Sequence, residues 1–173
     1  QAKAAPRPVG RYPHARRAGG LLFLSGIGPR DPATDSVPGN VLDADGRVVE
    51  HDIAAQTHAV FANVRAVLDA SGARWEDLVD VTVYLTDMAG DFAGYNAVWA
   101  EYFPDPATAP CRTTLGIDAL PTPIAIELKC VAVADRAPPM PLARTAGEGG
   151  TIGGADGGVR AADAGQPPHV RKE

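Results

Sequence analysis

Arg112 and Glu127 lie in two strand-like segments, 109–116 and 124–133, separated by the turn residues Leu120, Pro121, Thr122 and Pro123. A guanidinium can hold the planar carboxylate of a small acid in a two-pronged fork. A carboxylate inside an almost continuously apolar run is costly to bury without a partner, and desolvation moves its titration toward neutrality, where an acid/base group is useful. Together they suggest a pocket with an acid-binding clamp and a proton-transfer group. The same two residues read equally as a buried structural ion pair, with the guanidinium one strand away from the carboxylate. The apolar continuity of 124–133 is the pattern of a strand covered on both faces. Cys111 and Cys130 sit in the same two segments and are expected to be buried small apolar residues, close together if the strands are neighbours. The four histidines are scattered, with no metal-ligand spacing.

The elements that must position this pair follow from periodicity. Residues 12–18 and 21–26 read as strands joined by Gly19-Gly20, a hairpin. Residues 28–40 read as loop and Asp43 to Gly46 as a turn, followed by a short strand at 47–49. Ile53, Thr57, Val60, Phe61, Val64, Val67 and Leu68 share one helical face, with Asp52 as N-cap, Ser71-Gly72 as stop, and an outer Arg65–Asp69 pair. Val79, Val81, Val83 and Leu85 alternate with Asp80, Thr82, Tyr84 and Thr86, a strand with one apolar and one polar face. Phe92, Tyr95, Trp99, Tyr102 and Phe103 form the core face of a second helix with Asp91 as its N-cap, ended by Pro104 and Pro106. This order predicts an α+β fold, a mixed sheet with two helices on one face. No third helix is available for the other face, so self-association is the economical cover.

Composition sets bounds. The 173 residues are 45% hydrophobic and 21% charged, enough for one domain with a core. A net charge of −5 argues against a nucleic-acid or anionic-membrane surface. No apolar run approaches the ~20 residues that span a bilayer. The first residues lack the apolar run of a signal peptide, which points to the cytoplasm, and Gln1 is not an initiator Met, so the true start is missing or processed. Residues 1–9 are expected to be a flexible N-terminus, 10–135 the domain, and 136–173 a Gly/Pro-rich disordered tail without Phe, Trp or Tyr.

The segments Gly10-Arg11-Tyr12, Phe23-Leu24-Ser25-Gly26, Gln56, Asn63-Val64, Asp91 to Asn96, Pro110-Cys111-Arg112 and Ile126-Glu127 give the chain its resemblance. It resembles the Rid family (YjgF-like enamine/imine deaminases) over about Gly10 to Ala134. Within that family Arg11 to His14, Arg16 to Gly19 and Arg112-Thr113-Thr114 make it most similar to the 2-aminomuconate deaminase branch. Thr114 stands where many better-known members carry a Cys, which favours a dedicated branch over broad imine scavenging.

The resemblance implies a chorismate-mutase-like homotrimer with three pockets at subunit interfaces and no metal or organic cofactor. It implies a carboxylate-bearing enamine or imine as substrate, clamped by Arg112, with Glu127 positioning or deprotonating the attacking water. Thr114, on the same strand face as Arg112, would hold water or the amine, or serve as a plain strand threonine. Tyr12, Ser25 and Asn96 match pocket positions and read otherwise as a packed aromatic, a turn hydroxyl and a backbone cap. A dicarboxylate such as 2-aminomuconate needs a second cation, which His14, Arg16 or Arg17 would supply from the neighbouring subunit unless they form a solvated basic turn. Competing functions are a general 2-imino acid deaminase, a pathway-specific enzyme on another intermediate, and a non-catalytic trimer that binds metabolites.

Overall fold

Gly19 and Gly20 both adopt positive φ, at 54° and 79°, as a two-residue hairpin turn that follows strand twist requires. They join β1 (Ala15–Ala18) to β2 (Leu21–Leu24). The computed structural model describes residues 2–134, and the tail expectation for 136–173 lies outside them.

Two short strands, β3 (Val41–Leu42) and β4 (Val48–Glu50), pair as a separate ribbon across the Asp43–Gly46 turn. The helix α1 (Ile53–Ala70) begins at Asp52, whose side chain accepts from the Ala55 amide, and stops at Ser71. Val60, Phe61, Val64, Val67 and Leu68 are fully buried on its inner face, each contributing about 1.5–3 kcal/mol over the exposed state. Arg65 does not pair with Asp69. Its guanidinium lies 4.5 Å from the centre of the Trp75 ring, a better use of a planar cation than an exposed ion pair.

A single 3-10 turn (Trp75–Asp77) leads into β5 (Leu78–Leu85), and α2 (Met88–Tyr102) carries the chain to β6 (Cys111–Gly116) and β7 (Ile126–Val133). The main sheet runs β1-β2-β7-β5-β6, antiparallel except for the parallel β5–β6 pair. Both helices pack on the face formed by Leu22, Leu24, Val81, Val83, Leu85, Ile126, Leu128 and Cys130. The α+β class with two helices against a mixed sheet is as expected from the sequence.

Several local expectations are corrected. Asp87, not Asp91, caps α2, accepting from the Gly90 amide. Asp91 is buried one turn later and takes His51 Nε2 at 2.9 Å on both carboxylate oxygens. Phe92, expected in the core, is exposed. The strand-pairing register shifts between Leu78 and Asp80, so Leu78 is buried and Val79 turns outward, as an inserted residue in a ladder does. Strand β7 is not covered on both faces: Ile126, Leu128, Cys130 and Ala132 are buried, while Glu127, Lys129, Val131 and Val133 face the side without helices. Cys111 is exposed rather than buried, and the two free thiols do not adjoin because β5 runs between their strands. Burial, helped by Asp80, pushes the Cys130 thiol up to about 12. No helix among the described residues is long and apolar enough to cross a membrane.

Candidate functional site

Strand order decides where the two charged residues go. β5 lies between β6 and β7, opposing Arg112 with Val81 and Glu127 with Tyr84. Val81 and Tyr84 are three residues apart on β5, so their side chains leave opposite faces. Arg112 therefore points to the helix side and Glu127 to the open side. The structural ion pair does not form, because the sheet itself separates the partners.

Arg112 occupies the edge of the sheet beneath α2. Its guanidinium carbon lies 4.7 Å from the centre of the Trp99 ring and 5.4 Å from that of Tyr95. Stacked there, it has a buried Nη1 with no hydrogen-bond partner, and no carboxylate pairs with it among the described residues. Thr114 opposes Val83 and shares the Arg112 face. Burial raises the Tyr95 phenol, while Thr114 and Arg112 beside it pull the other way. Asn96 is partly buried in α2, next to Tyr95 in sequence. The arrangement is a cation placed over two aromatic rings, with one donor unspent and hydroxyls at hand. That suits a planar carboxylate.

Glu127 belongs to a separate, partly open cleft on the other face, lined among others by Tyr12, His14, Gly26, Ile124 and the N-terminal residues Ala5 to Val9. Burial holds its carboxyl above the ordinary carboxylate value, as loss of water around the anion dictates. Gly26 packs directly on it: a Cβ at that position would stand 2.7 Å from Glu127 Cδ. Only glycine permits so close an approach, and the side chain is thereby confined on one flank.

Buried polar residues hold the cleft walls, a role the sequence pattern did not reveal. Gln56 accepts from the Ala125 amide at 2.8 Å and donates to Asn40 Oδ1 at 2.8 Å, while Asn40 donates to Pro123 O. Asn63 Nδ2 donates to the carbonyls of Gly28 and Arg30 at 2.9 Å each. The signal was two amides on the otherwise apolar face of α1, since buried amides are retained where backbone needs partners.

The remaining named residues are accounted for. Tyr12 is exposed in the cleft, before β1 rather than within it. Ser25 Oγ donates to Pro13 O at 2.6 Å, fixing the segment that carries Tyr12. His14 is buried with both ring nitrogens engaged: Nδ1 accepts from the Ala2 amide at 3.1 Å and Nε2 donates to Pro6 O at 2.8 Å. Residues 2–9, which composition alone suggests are frayed, are thus tied to the domain, with Ala2 and Ala5 buried. Arg17 opposes Leu22 on the helix side and donates to Ala134 O at 2.8 Å and to Ser71 O. It ties the C-cap of α1 to the residue after β7 on the helix side, the face opposite Glu127. Arg16 opposes Phe23 on the open side and is exposed. The chain therefore brings together Tyr12, His14 and Glu127 at one place and Arg112 and Thr114 at another.

Comparisons with known proteins agree with this architecture. The family model described as Endoribonuclease L-PSP matches residues 2–134. A RutC family protein of Pyrococcus horikoshii is 40% identical over 128 residues, 74% of this chain and 90% of the relative. Reactive Intermediate Deaminase A, chloroplastic, of Arabidopsis thaliana is 37% identical over 74% of this chain and 61% of its own length. The crystal structure of E. coli TdcF with bound serine superposes with a TM-score of 0.65 at 28% identity, covering 77% of this chain and 95% of that one. On its sequence and on the fold that carries Arg112 and Glu127, the chain belongs to the Rid/YjgF/RutC family, the family of the Endoribonuclease L-PSP model.

Proposed function

We propose that this protein is a hydrolytic deaminase of carboxylate-bearing enamines and imines, working as a homotrimer whose pockets join the Arg112 edge of one copy to the Glu127 cleft of the next. The observation that carries the proposal is that both charged residues are built into the fold yet neither has an ionic partner among the described residues. Buried charge without a partner is costly, and a ligand or a second copy relieves the cost. The open sheet face also exposes Phe23, Val79, Leu115 and Val133, a surface that a second copy would cover.

In this pocket Arg112 takes the substrate carboxylate and fixes the adjacent C=N carbon. Glu127 accepts a proton from water as the oxygen adds to that carbon and passes it to the nitrogen, giving the carbinolamine; a second proton then moves from the new hydroxyl through Glu127 to the same nitrogen, the C–N bond breaks, and ammonia leaves as the carbonyl forms. The raised affinity of Glu127 for its proton suits the return step. Family membership and the deaminase name of the Arabidopsis relative support the reaction class. Serine in the TdcF structure supports a ligand that carries both carboxylate and amine. The specific substrate proposed is 2-aminomuconate, converted with water to 4-oxalocrotonate and ammonia; small 2-imino acids are the alternative.

The test is ammonia release from freshly generated 2-aminomuconate and from small 2-imino acids. Faster turnover of 2-aminomuconate supports the specific substrate. Turnover of small imines alone makes the protein a general deaminase, and turnover of neither contradicts the function.

A further inference from the structure

The Glu127 cleft has a wall that the reaction does not use. Residues 2–9 cross it as a strap held at three points: the Ala2 amide on His14 Nδ1, Pro6 O on His14 Nε2, and Arg7 O on Arg30 Nη2 at 2.7 Å. Arg7 stands between Pro6 and Pro8, which narrow its backbone freedom to extended conformations. The strap therefore presents the Arg7 side chain from a defined position on the cleft wall.

Charge accounting within the cleft singles Arg7 out. His14 has both nitrogens engaged by backbone. Arg30 gives its guanidinium to Asp35 and to Arg7 O. Arg7 is the remaining cation of the lining, and its side chain makes no hydrogen bond or ion pair among the described residues. Arg7 is exposed to solvent and free to reach a ligand, and the lining it shares includes the apolar Val9, Ile27 and Ile124.

Granted the deaminase function proposed above, we propose that Arg7 binds a second carboxylate of the substrate, distal to the reacting C=N group, and so makes the protein selective for dicarboxylates. The second cation then comes from the strap, and not from His14 or Arg17, whose polar atoms are already engaged. Arg7 is a specificity determinant, separate from the groups that carry the reaction.

The test uses two unreactive six-carbon dienes that differ only in the second carboxylate: trans,trans-muconate and sorbate. Their binding is measured by calorimetry for the wild type, Arg7→Ala and Arg7→Lys. Truncating Arg7 leaves the strap anchored, since Arg30 holds its backbone carbonyl. The expected result is muconate binding at least about tenfold tighter than sorbate in the wild type, the scale of a hydrogen bond to a charged group. Arg7→Ala should erase that preference with sorbate affinity unchanged, and Arg7→Lys should restore part of it. Equal affinities in the wild type, a preference that survives Arg7→Ala, or equal losses for both ligands overturns the proposal. Ammonia release is scored separately, so a protein that binds muconate through Arg7 but deaminates nothing would contradict the catalytic function and leave the Arg7 assignment standing.

Discussion

The Arg112 edge and the Glu127 cleft solve opposite problems with opposite means. At the edge, a cation is kept in place by aromatic faces and left short of one hydrogen-bond partner. In the cleft, a carboxyl is hemmed in by a glycine and partly shielded from water, and that shielding favours its protonated form. On the proposed function, one place receives an anion and the other exchanges a proton. In a single chain they lie on different faces of one sheet, so that function requires a second copy to bring them together.

Substitutions should separate the two. Glu127→Gln is expected to lower kcat by about 10²–10⁴-fold, the usual contribution of a general acid/base, while substrate affinity stays near wild type; lost affinity instead would make Glu127 a binding group. The same variant carries a stability signature. Because the folded state raises the Glu127 pKa above its unfolded value, folding favours the protonated form. Stability is therefore lost as pH rises from the unfolded pKa through the folded one. The melting temperature of Glu127→Gln minus that of the wild type should be near zero below about pH 4 and positive at neutrality; a difference independent of pH would contradict the desolvated carboxyl.

Arg112→Ala should cost about 10²–10³-fold in kcat/KM, the range for truncating one side of a desolvated charge pair. Its thermal stability should stay close to wild type, because Arg112 satisfies no carboxylate among the described residues. A variant that unfolds would return Arg112 to a structural role. Arg17→Ala has the smallest expected effect, a stability loss of about 1 kcal/mol from two backbone carbonyls left without their donor, with deamination rates unchanged. A selective loss of dicarboxylate turnover in that variant would move the second cation from Arg7 back to Arg17.

The two regions were unequally legible in the sequence. Both helices, the Gly19-Gly20 hairpin and the alternation in β5 follow from local periodicity. Arg112 and Thr114 could be placed on one face because parity holds within a strand. Parity says nothing between strands, however. That β5 separates β6 from β7, with Arg112 and Glu127 on opposite faces, depends on pairing order and register. The inserted residue at Val79 also reverses the alternation in a way composition does not announce. Asp91 looked like a cap because it precedes an aromatic run, but Asp87 starts the helix one turn earlier and leaves Asp91 for His51. The strap was hidden for a different reason. Ala- and Pro-rich residues look frayed, and the group that pins them is a histidine further along the chain.

The central claim is that Arg112 and Glu127 act together only across copies. Mixing Arg112→Ala with Glu127→Gln subunits, by co-expression or refolding together, tests it directly. Each variant alone should be nearly inactive. If each pocket takes Arg112 from one copy and Glu127 from its neighbour, random mixing regenerates roughly a quarter of the pockets, and ammonia release should recover to about that fraction of wild type. Mixed assemblies that form but remain as inactive as the parents would contradict the claim.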